Sequence, residues 1–181
     1  MRRSIMEHIE RINRELKYKG TILSMYADTI SVPNGNTAVW DFIEHHGAAA
    51  VVPVMDDGRI LLVRQYRNSV DRYTLEIPAG GLNGKDEPTK TAAARELEEE
   101  TGYASDNLEI LVSIVTAVAF CNEVIDVYVA KNLVKTQQHL DEDEYIDVEA
   151  YTPEEIADMI YSCKIQDSKT VAAVMAYINK K

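Results

Sequence analysis

Short apolar runs separated by polar breaks dominate the chain and predict a strand-rich protein with few helices. Tyr18 to Ser31 is rich in Thr, Ile, Leu and Tyr, and Pro33-Asn34-Gly35-Asn36 reads as a turn. Thr37 to Glu44 suits the returning strand, so an N-terminal β-hairpin is expected. Ala48 to Val54 is an apolar run that Asp56-Asp57-Gly58 breaks and Ile60 to Val63 resumes, which predicts a second hairpin. Leu75 to Ile77 is a short strand ahead of a loop with Gly80, Gly81 and Gly84. Leu108 to Val115, Val124 to Ala130 and Ile146 to Tyr151 complete the strands. Residues 5–16, before all of these, read as a short helix or a loose arm.

The first strong helix spans about Pro88 to Thr101. Pro88 fits a first turn that needs no N–H, and Gly102 fits the position just past the end. Thr152 caps a helix that begins at Pro153, with Glu155 completing a capping box. Asp167 or Ser168 opens a last helix through Tyr177. Strands, a helix, more strands and then helices make an α+β protein with a mixed sheet.

Composition narrows the function. The 181 residues fit one domain with a sizeable core, and 46% of them are hydrophobic. Lys plus Arg number 19 against 30 Asp plus Glu, a formal net charge of −11. That balance argues against nucleic acid and anionic membranes as partners, since both are held by Lys and Arg. No apolar stretch approaches the ~20 residues of a membrane helix, and the N-terminus has no apolar signal-peptide region. Cys121 and Cys163 show no metal-ligand spacing, so a reducing, cytoplasmic home is expected.

Eight of the 30 acids fall in two clusters, Glu96/Glu98/Glu99/Glu100 and Asp141 to Glu144. On a helix Glu96, Glu99 and Glu100 share one face, where like charges repel by a few tenths of a kcal/mol per pair. A hard divalent cation such as Mg²⁺ turns that repulsion into coordination. The alternative is a solvated acidic face.

The spacing favours the metal. Gly81, Glu87, Arg95, Glu96, Leu97, Glu99, Glu100 and Gly102 resemble the Nudix box, G-x5-E-x7-R-E-U-x-E-E-x-G-U, with Tyr103 at the final aliphatic position. At background usage of ~5–7% per residue, the match would arise in on the order of one chain per million. The resemblance implies a Nudix α/β/α sandwich and a hydrolase of nucleoside diphosphates, using Mg²⁺ or Mn²⁺ with two or more ions per site. It implies Glu96 and Glu100 as metal ligands and Glu99 as a catalytic residue that orients water or holds a further metal. Gly80 is the implied carbonyl ligand, with Ala79 open as the alternative. Glu87 and Arg95 become the ion pair holding loop to helix, with Gly81 and Gly102 structural.

Further segments resemble the ADP-ribose pyrophosphatase branch: Arg64-Gln65-Tyr66-Arg67, Leu75-Glu76-Ile77-Pro78-Ala79-Gly80, and Ile165-Gln166-Asp167-Ser168-Lys169-Thr170. The last of these is read as a helix start. The branch implies Trp40 stacking on adenine, Asp41 bonding the base edge, Arg67 on the phosphates and Glu123 in substrate binding. Its acidic loop corresponds to Asp141 to Glu144, with Glu142 the general base and Glu144 a metal ligand, the reverse assignment being open. Val118-Ala119 stand where the branch carries Pro-Gly, and His45 where some relatives carry Arg. The expected reaction converts ADP-ribose to AMP and ribose 5-phosphate. Another NDP-sugar such as GDP-mannose, and a non-catalytic ADP-ribose sensor, are the competing readings. Residues 1–44 are expected to be an arm and hairpin at a homodimer contact, and residues 45–181 the hydrolase domain.

Overall fold

The computed structural model describes residues 9–84, 86–142 and 144–180. The chain divides into two units, one holding the first three strands with Ala117–Glu123, the other Gly47–Thr116 and Val124 onward.

The first unit is an antiparallel meander of β1 (Glu10–Lys19), β2 (Ser24–Ser31) and β3 (Thr37–Glu44). The helix or arm expected for residues 5–16 is therefore a strand from Glu10, and residues 5–8 lie outside the described residues. Ile12 and Leu16 stand one helical turn apart, but they also belong to an every-second-residue series with Arg14 and Tyr18. Pairing with β2 decides between the two. Arg14 faces Asp28 across the ladder and grips it with two bonds, Nε to Oδ1 at 2.7 Å and Nη2 to Oδ2 at 2.6 Å. Its guanidinium also lies 3.8 Å from the centroid of the Phe42 ring. The expected hairpin is thus the β2–β3 half of a three-stranded sheet.

In the second unit β4 (Ala48–Pro53) is the central element and is buried along its whole length. Ala49 and Val51 face α1 (Thr89–Thr101), where they meet Ala92, Ala93 and Leu97. Ala48, Ala50 and Val52 face the opposite way, towards Ile60, Leu62, Ile77, Ile156 and Val174. A strand covered on both faces reads as continuous rather than alternating. The expected second hairpin closes only at its turn. β4 joins a mixed sheet with Ala79–Gly81, Val124–Lys131 and Asn107–Val115, whereas β5 (Ile60–Arg67) pairs with Asp147–Tyr151 and Arg72–Glu76, and the Val54–Ile60 bridge with the Met55 N–H to Arg59 O bond links the two around the Asp57-Gly58 turn.

The remaining strands are β6 (Arg72–Glu76), β7 (Ala79–Gly81), β8 (Tyr103–Ala104), β9 (Asn107–Val115), β10 (Val124–Lys131), β11 (Val134–Lys135) and β12 (Asp147–Tyr151). β7 lies inside what the sequence presents as a glycine loop. Helix α2 (Pro153–Tyr161) has its capping box intact, and α3 (Ser168–Asn179) is capped by Asp167. Pro88 is the extended residue just before α1 rather than part of its first turn, and Gly102 ends the helix at φ 67°. In this unit α1 covers one face of the β4 sheet, and the β12-β5-β6 sheet together with α3 lines the core on the other, a mixed α+β sandwich. No helix among the described residues is long and apolar enough to cross a membrane.

Leu97 is fully buried where α1 meets β4. Leu97→Ala is expected to cost about 3 kcal/mol in urea unfolding, the usual range for an aliphatic side chain deleted from a core.

Candidate active site

The small side chains of Ala49, Ala92 and Ala93 let α1 lie close to the sheet. That approach carries the next turns of the helix onto β7. Glu96 and Glu100, one turn apart, are both buried there, at 8% and 3% exposed. The Glu96 carboxylate occupies the space that a Cβ on Gly80 would fill, so this position takes no side chain. Glu100 accepts a hydrogen bond from the Ala79 N–H at 3.1 Å.

Strand register identifies the main-chain oxygen available beside them. β7 pairs with β4 as Ala48↔Gly81, Ala49↔Gly80 and Ala50↔Ala79. Bonds flank this run at Leu82 N–H to Gly47 O (3.3 Å) and Val51 N–H to Pro78 O (3.0 Å). In an antiparallel ladder bonded and non-bonded pairs alternate. Gly80 is therefore in a bonded pair, its carbonyl turned to β4, while the polar groups of Ala79 and Gly81 turn away from it. Those of Ala79 and Gly81 meet α1 instead: Ala79 N–H reaches Glu100, and Gly81 O accepts from Arg95 Nη2 at 3.1 Å. Of the two carbonyls that the sequence leaves open, Gly80 O is turned to β4 and Ala79 O is turned away from it. Gly80 contributes the space for Glu96.

Arg95 ties the acids to the preceding loop. It donates to Glu96 Oε1 at 2.6 Å and to Glu99 Oε2 at 3.0 Å, and lies 3.5 Å from Glu87. Glu87 also accepts from the Asn83 N–H at 2.5 Å. Lys85 in this loop lies outside the described residues. Gly102 has a second reason to be glycine besides its φ, since a Cβ there would sit 3.0 Å from the Gln138 nitrogen. Gln138 in turn donates to the carbonyls of Glu100 (2.7 Å) and Ile146 (3.3 Å), closing the base of the acidic loop onto the helix end.

Within that loop, Glu144 raises the pKa of both Glu96 and Glu100 through its charge. Glu142 makes no hydrogen bond or ion pair to α1 among the described residues, and Asp143 lies outside them. Nor do any three Asp, Glu, His or Cys side chains among the described residues stand close enough to hold a metal as they are. The donor set that fits one is two buried carboxylates plus the outward Ala79 carbonyl, all oxygen, as a hard divalent cation requires.

Arg67 is less free than the sequence suggests. Its Nε and Nη2 grip Glu76 at 2.8 and 2.7 Å. Glu76 itself, with Lys169, Asp167 and Thr170 around it, is the polar group that sequence reasoning did not single out. The available signal was one acid inside the apolar run Leu75-Glu76-Ile77.

Trp40, Asp41 and Glu123 belong to the first unit. Successive residues of a strand face opposite ways, so Trp40 and Asp41 stand on opposite faces of β3, and the expected joint grip on one base does not follow from their adjacency. Glu123 lies 3.4 Å from His45 Nδ1.

Burial, then the charges of Glu96 and Glu144, push Glu100 up to about 8. Between the ordinary value of 4.5 and about 8 the folded protein therefore holds a proton the unfolded chain has lost. Stability from this group is present at low pH and lost as pH rises through that window. Glu100→Gln keeps an acceptor for Ala79 and removes the titration. In a chelator at pH 8 it is expected to exceed the wild type by on the order of 4 kcal/mol, with the difference vanishing near pH 4. Thermal unfolding across pH reads this out, and parallel curves for the two proteins would contradict it.

Comparison with known proteins gives the arrangement its family. The NUDIX domain model matches residues 44–173. The methanol dehydrogenase activator of Bacillus methanolicus is 40% identical over 165 residues, covering 90% of this chain and 89% of the relative. The ADP-ribose pyrophosphatase of Bacillus subtilis (strain 168) is 36% identical with the same coverage. A solved ADP compounds hydrolase superposes with a TM-score of 0.86 over 97% of this chain and 95% of its own, at 21% identity, and so shares the fold. With the box carried on this helix and the family model spanning most of the sequence, the chain belongs to the Nudix hydrolase family.

Proposed function

We propose that the chain hydrolyses the pyrophosphate bond of ADP-ribose, giving AMP and ribose 5-phosphate, and that the reaction depends on Mg²⁺ or Mn²⁺. The observation that carries the reading is the burial of Glu96 and Glu100 side by side against β7. Two adjacent buried carboxylates are costly unless a cation is to be bound. The relative named ADP-ribose pyrophosphatase supports the substrate.

In this reading Glu96, Glu100 and the Ala79 carbonyl hold the divalent metal, with Glu144 completing the set and two or more ions per site. The bound metal neutralises charge developing on the diphosphate and lowers the pKa of water. Glu142 accepts the proton of the attacking water as general base, and Glu99 orients that water. Arg67, held flat by Glu76, presents its remaining N–H groups to a phosphate oxygen. Trp40, Asp41 and Glu123 serve in recognition of the nucleotide. Arg95 and Glu87 hold the loop in place, and Gly81 and Gly102 keep their backbone roles.

Exposed Ile12, Leu16, Tyr18, Val39 and Trp40 on the first three strands support residues 1–44 as a homodimer contact, beside a hydrolase domain of residues 45–181. Free thiols at Cys121 and Cys163 support a cytoplasmic setting. A second reading rests on the relative named methanol dehydrogenase activator, in which the same hydrolytic site serves to raise a dehydrogenase's activity. Adding the chain to methanol dehydrogenase with and without Glu100→Gln separates the two.

A panel of ADP-ribose, GDP-mannose and other NDP-sugars with Mg²⁺ tests the assignment by product analysis. ADP-ribose is expected to rank first and to yield AMP with ribose 5-phosphate. Glu100→Gln is expected to lower turnover by at least about 10³-fold in a folded protein. A higher rate on GDP-mannose would replace the substrate, and full activity of the variant would remove the metal assignment.

A further inference from the structure

Outside the acidic pair, the largest group of buried polar side chains joins β5, β6 and the first turn of α3. Glu76 is 2% exposed. Its Oε1 accepts from Arg67 Nε (2.8 Å) and Thr74 Oγ1 (2.6 Å), and its Oε2 from Arg67 Nη2 (2.7 Å) and Lys169 Nζ. Lys169 Nζ also donates to Asp167 Oδ2 at 3.0 Å. The same Asp167 oxygen accepts from the Thr170 N–H (3.0 Å) and the Thr170 hydroxyl (2.6 Å). Thr170 is wholly buried, and its Oγ1, with its proton given to Asp167, accepts from the Ile77 N–H at 2.9 Å.

A cleft of about 340 Å³ borders this group and is lined in part by Arg67, Arg72 and Lys169. It has the charge of an anion site, but most of its donors already have partners within the protein. Arg67 and Lys169 are engaged by Glu76 and Asp167, and Arg72 donates to Gln166. The network points inward instead.

Its last bond is the informative one. Glu76 is the final residue of β6 to pair with β5, opposite Val63, and Ala79 is the first of β7 to pair with β4. Ile77 and Pro78 form the step from one sheet to the other, where no ladder serves the Ile77 N–H. A buried N–H needs a partner, and Thr170 supplies it from an element 93 residues further along the chain. Pro78 has no N–H, its carbonyl is held by Val51, and the Ala79 N–H is held by Glu100. Every main-chain donor from Ile77 to Ala79 thus has one fixed partner. The direction of the Ala79 carbonyl and the seat of Glu96 on Gly80 follow from those three bonds.

We propose that Thr170, backed by Asp167 and Lys169, is a positioning residue for the metal centre, fixing through the Ile77 N–H the corner that presents Ala79 and Gly80 to Glu96 and Glu100. The inference rests on the reading of that acidic pair as metal ligands. Thr170 acts two residues ahead of the Ala79 carbonyl, through the main chain of Ile77 and Pro78, and groups that fix a ligand's backbone set metal affinity because a ligand displaced by a fraction of an ångström no longer converges with the others.

Thr170→Val tests it, because the side chain keeps its shape and loses only the hydroxyl. Mn²⁺ binding to the whole protein, followed by the EPR signal of the free ion, is expected to weaken about tenfold, the lower end of what loss of such a partner costs. Hydrogen exchange at the Ile77 and Ala79 amides is expected to speed up in step. Thr170→Ser, which keeps the hydroxyl, is expected to restore wild-type Mn²⁺ binding and protection. Should the valine variant fail to fold, Asp167→Asn weakens the same relay while still capping α3, and is expected to reduce Mn²⁺ affinity in the same direction. A folded Thr170→Val or Asp167→Asn protein with lowered thermal stability but wild-type Mn²⁺ affinity overturns the proposal and leaves Thr170 as a core hydrogen bond. Glu100→Gln in the same assay isolates the premise: wild-type Mn²⁺ binding there would overturn the metal assignment itself, whatever Thr170 does.

Discussion

The structure of the site depends on one close approach, that of the Glu96 carboxylate to the bare Cα of Gly80. A side chain at position 80 would displace the Glu96 carboxylate from its seat beside Glu100. Bringing them in is unfavourable on its own terms, since both carboxylates lose water and repel. What offsets the cost is apolar contact on the same helix, where Ala92 and Ala93, one turn earlier, and Leu97, between the two acids, bury against Ala49 and Val51. The alanines set the distance, and Leu97 supplies the burial. A larger residue at 49 or 93 would improve the hydrophobic term and ruin the approach.

Sheet register then does what the acids cannot. β7 is an edge strand, so one set of its main-chain groups has no ladder to join. In many proteins such an edge is a liability that must be covered. Here α1 covers it, and the outward groups of Ala79 and Gly81 become fixed contacts for Glu100 and Arg95. A slip of one residue between β4 and β7 would turn Gly80 outward and Ala79 inward, exchanging carbonyl and side-chain space together. The two glycines and the alanine are therefore one unit of information.

Much of this was legible in the sequence, and the illegible parts have physical causes. Box spacing placed Glu96, Glu99, Glu100 and Arg95 on one helix, because helical periodicity is local. The capping box at Thr152 and the left-handed Gly102 were likewise local features. β1 is open in the sequence because Ile12 and Leu16 satisfy two periods at once, and only the long-range Arg14–Asp28 pairing decides between them. The second hairpin was misread because a tight Asp-Gly turn fixes chain reversal and not which sheet each strand enters. Ala79 against Gly80 needed the β4–β7 register, which no spacing encodes. The bond from Ile77 to Thr170 joins residues 93 positions apart, and nothing in either segment announces the other.

The same burial yields opposite chemistry on the two sides of this corner. Glu76 and Glu100 are 2% and 3% exposed, and desolvation pushes both pKa values upward. Around Glu76, Arg67, Lys169 and Thr74 more than reverse that push and hold it at about 2. Around Glu100, Glu96 and Glu144 add to the push and carry it to about 8. One carboxylate is thus ionised at every pH at which the other changes state. Glu76 stays charged and bonded while the Glu96–Glu100 pair gains or loses a proton, so titration of the site does not loosen the corner it is built on. A neutral residue at 76 would remove the carboxylate that Arg67 and Lys169 share and leave the buried Lys169 with Asp167 alone. The charge at position 76 is therefore structural, and the charge at position 100 is the one kept available.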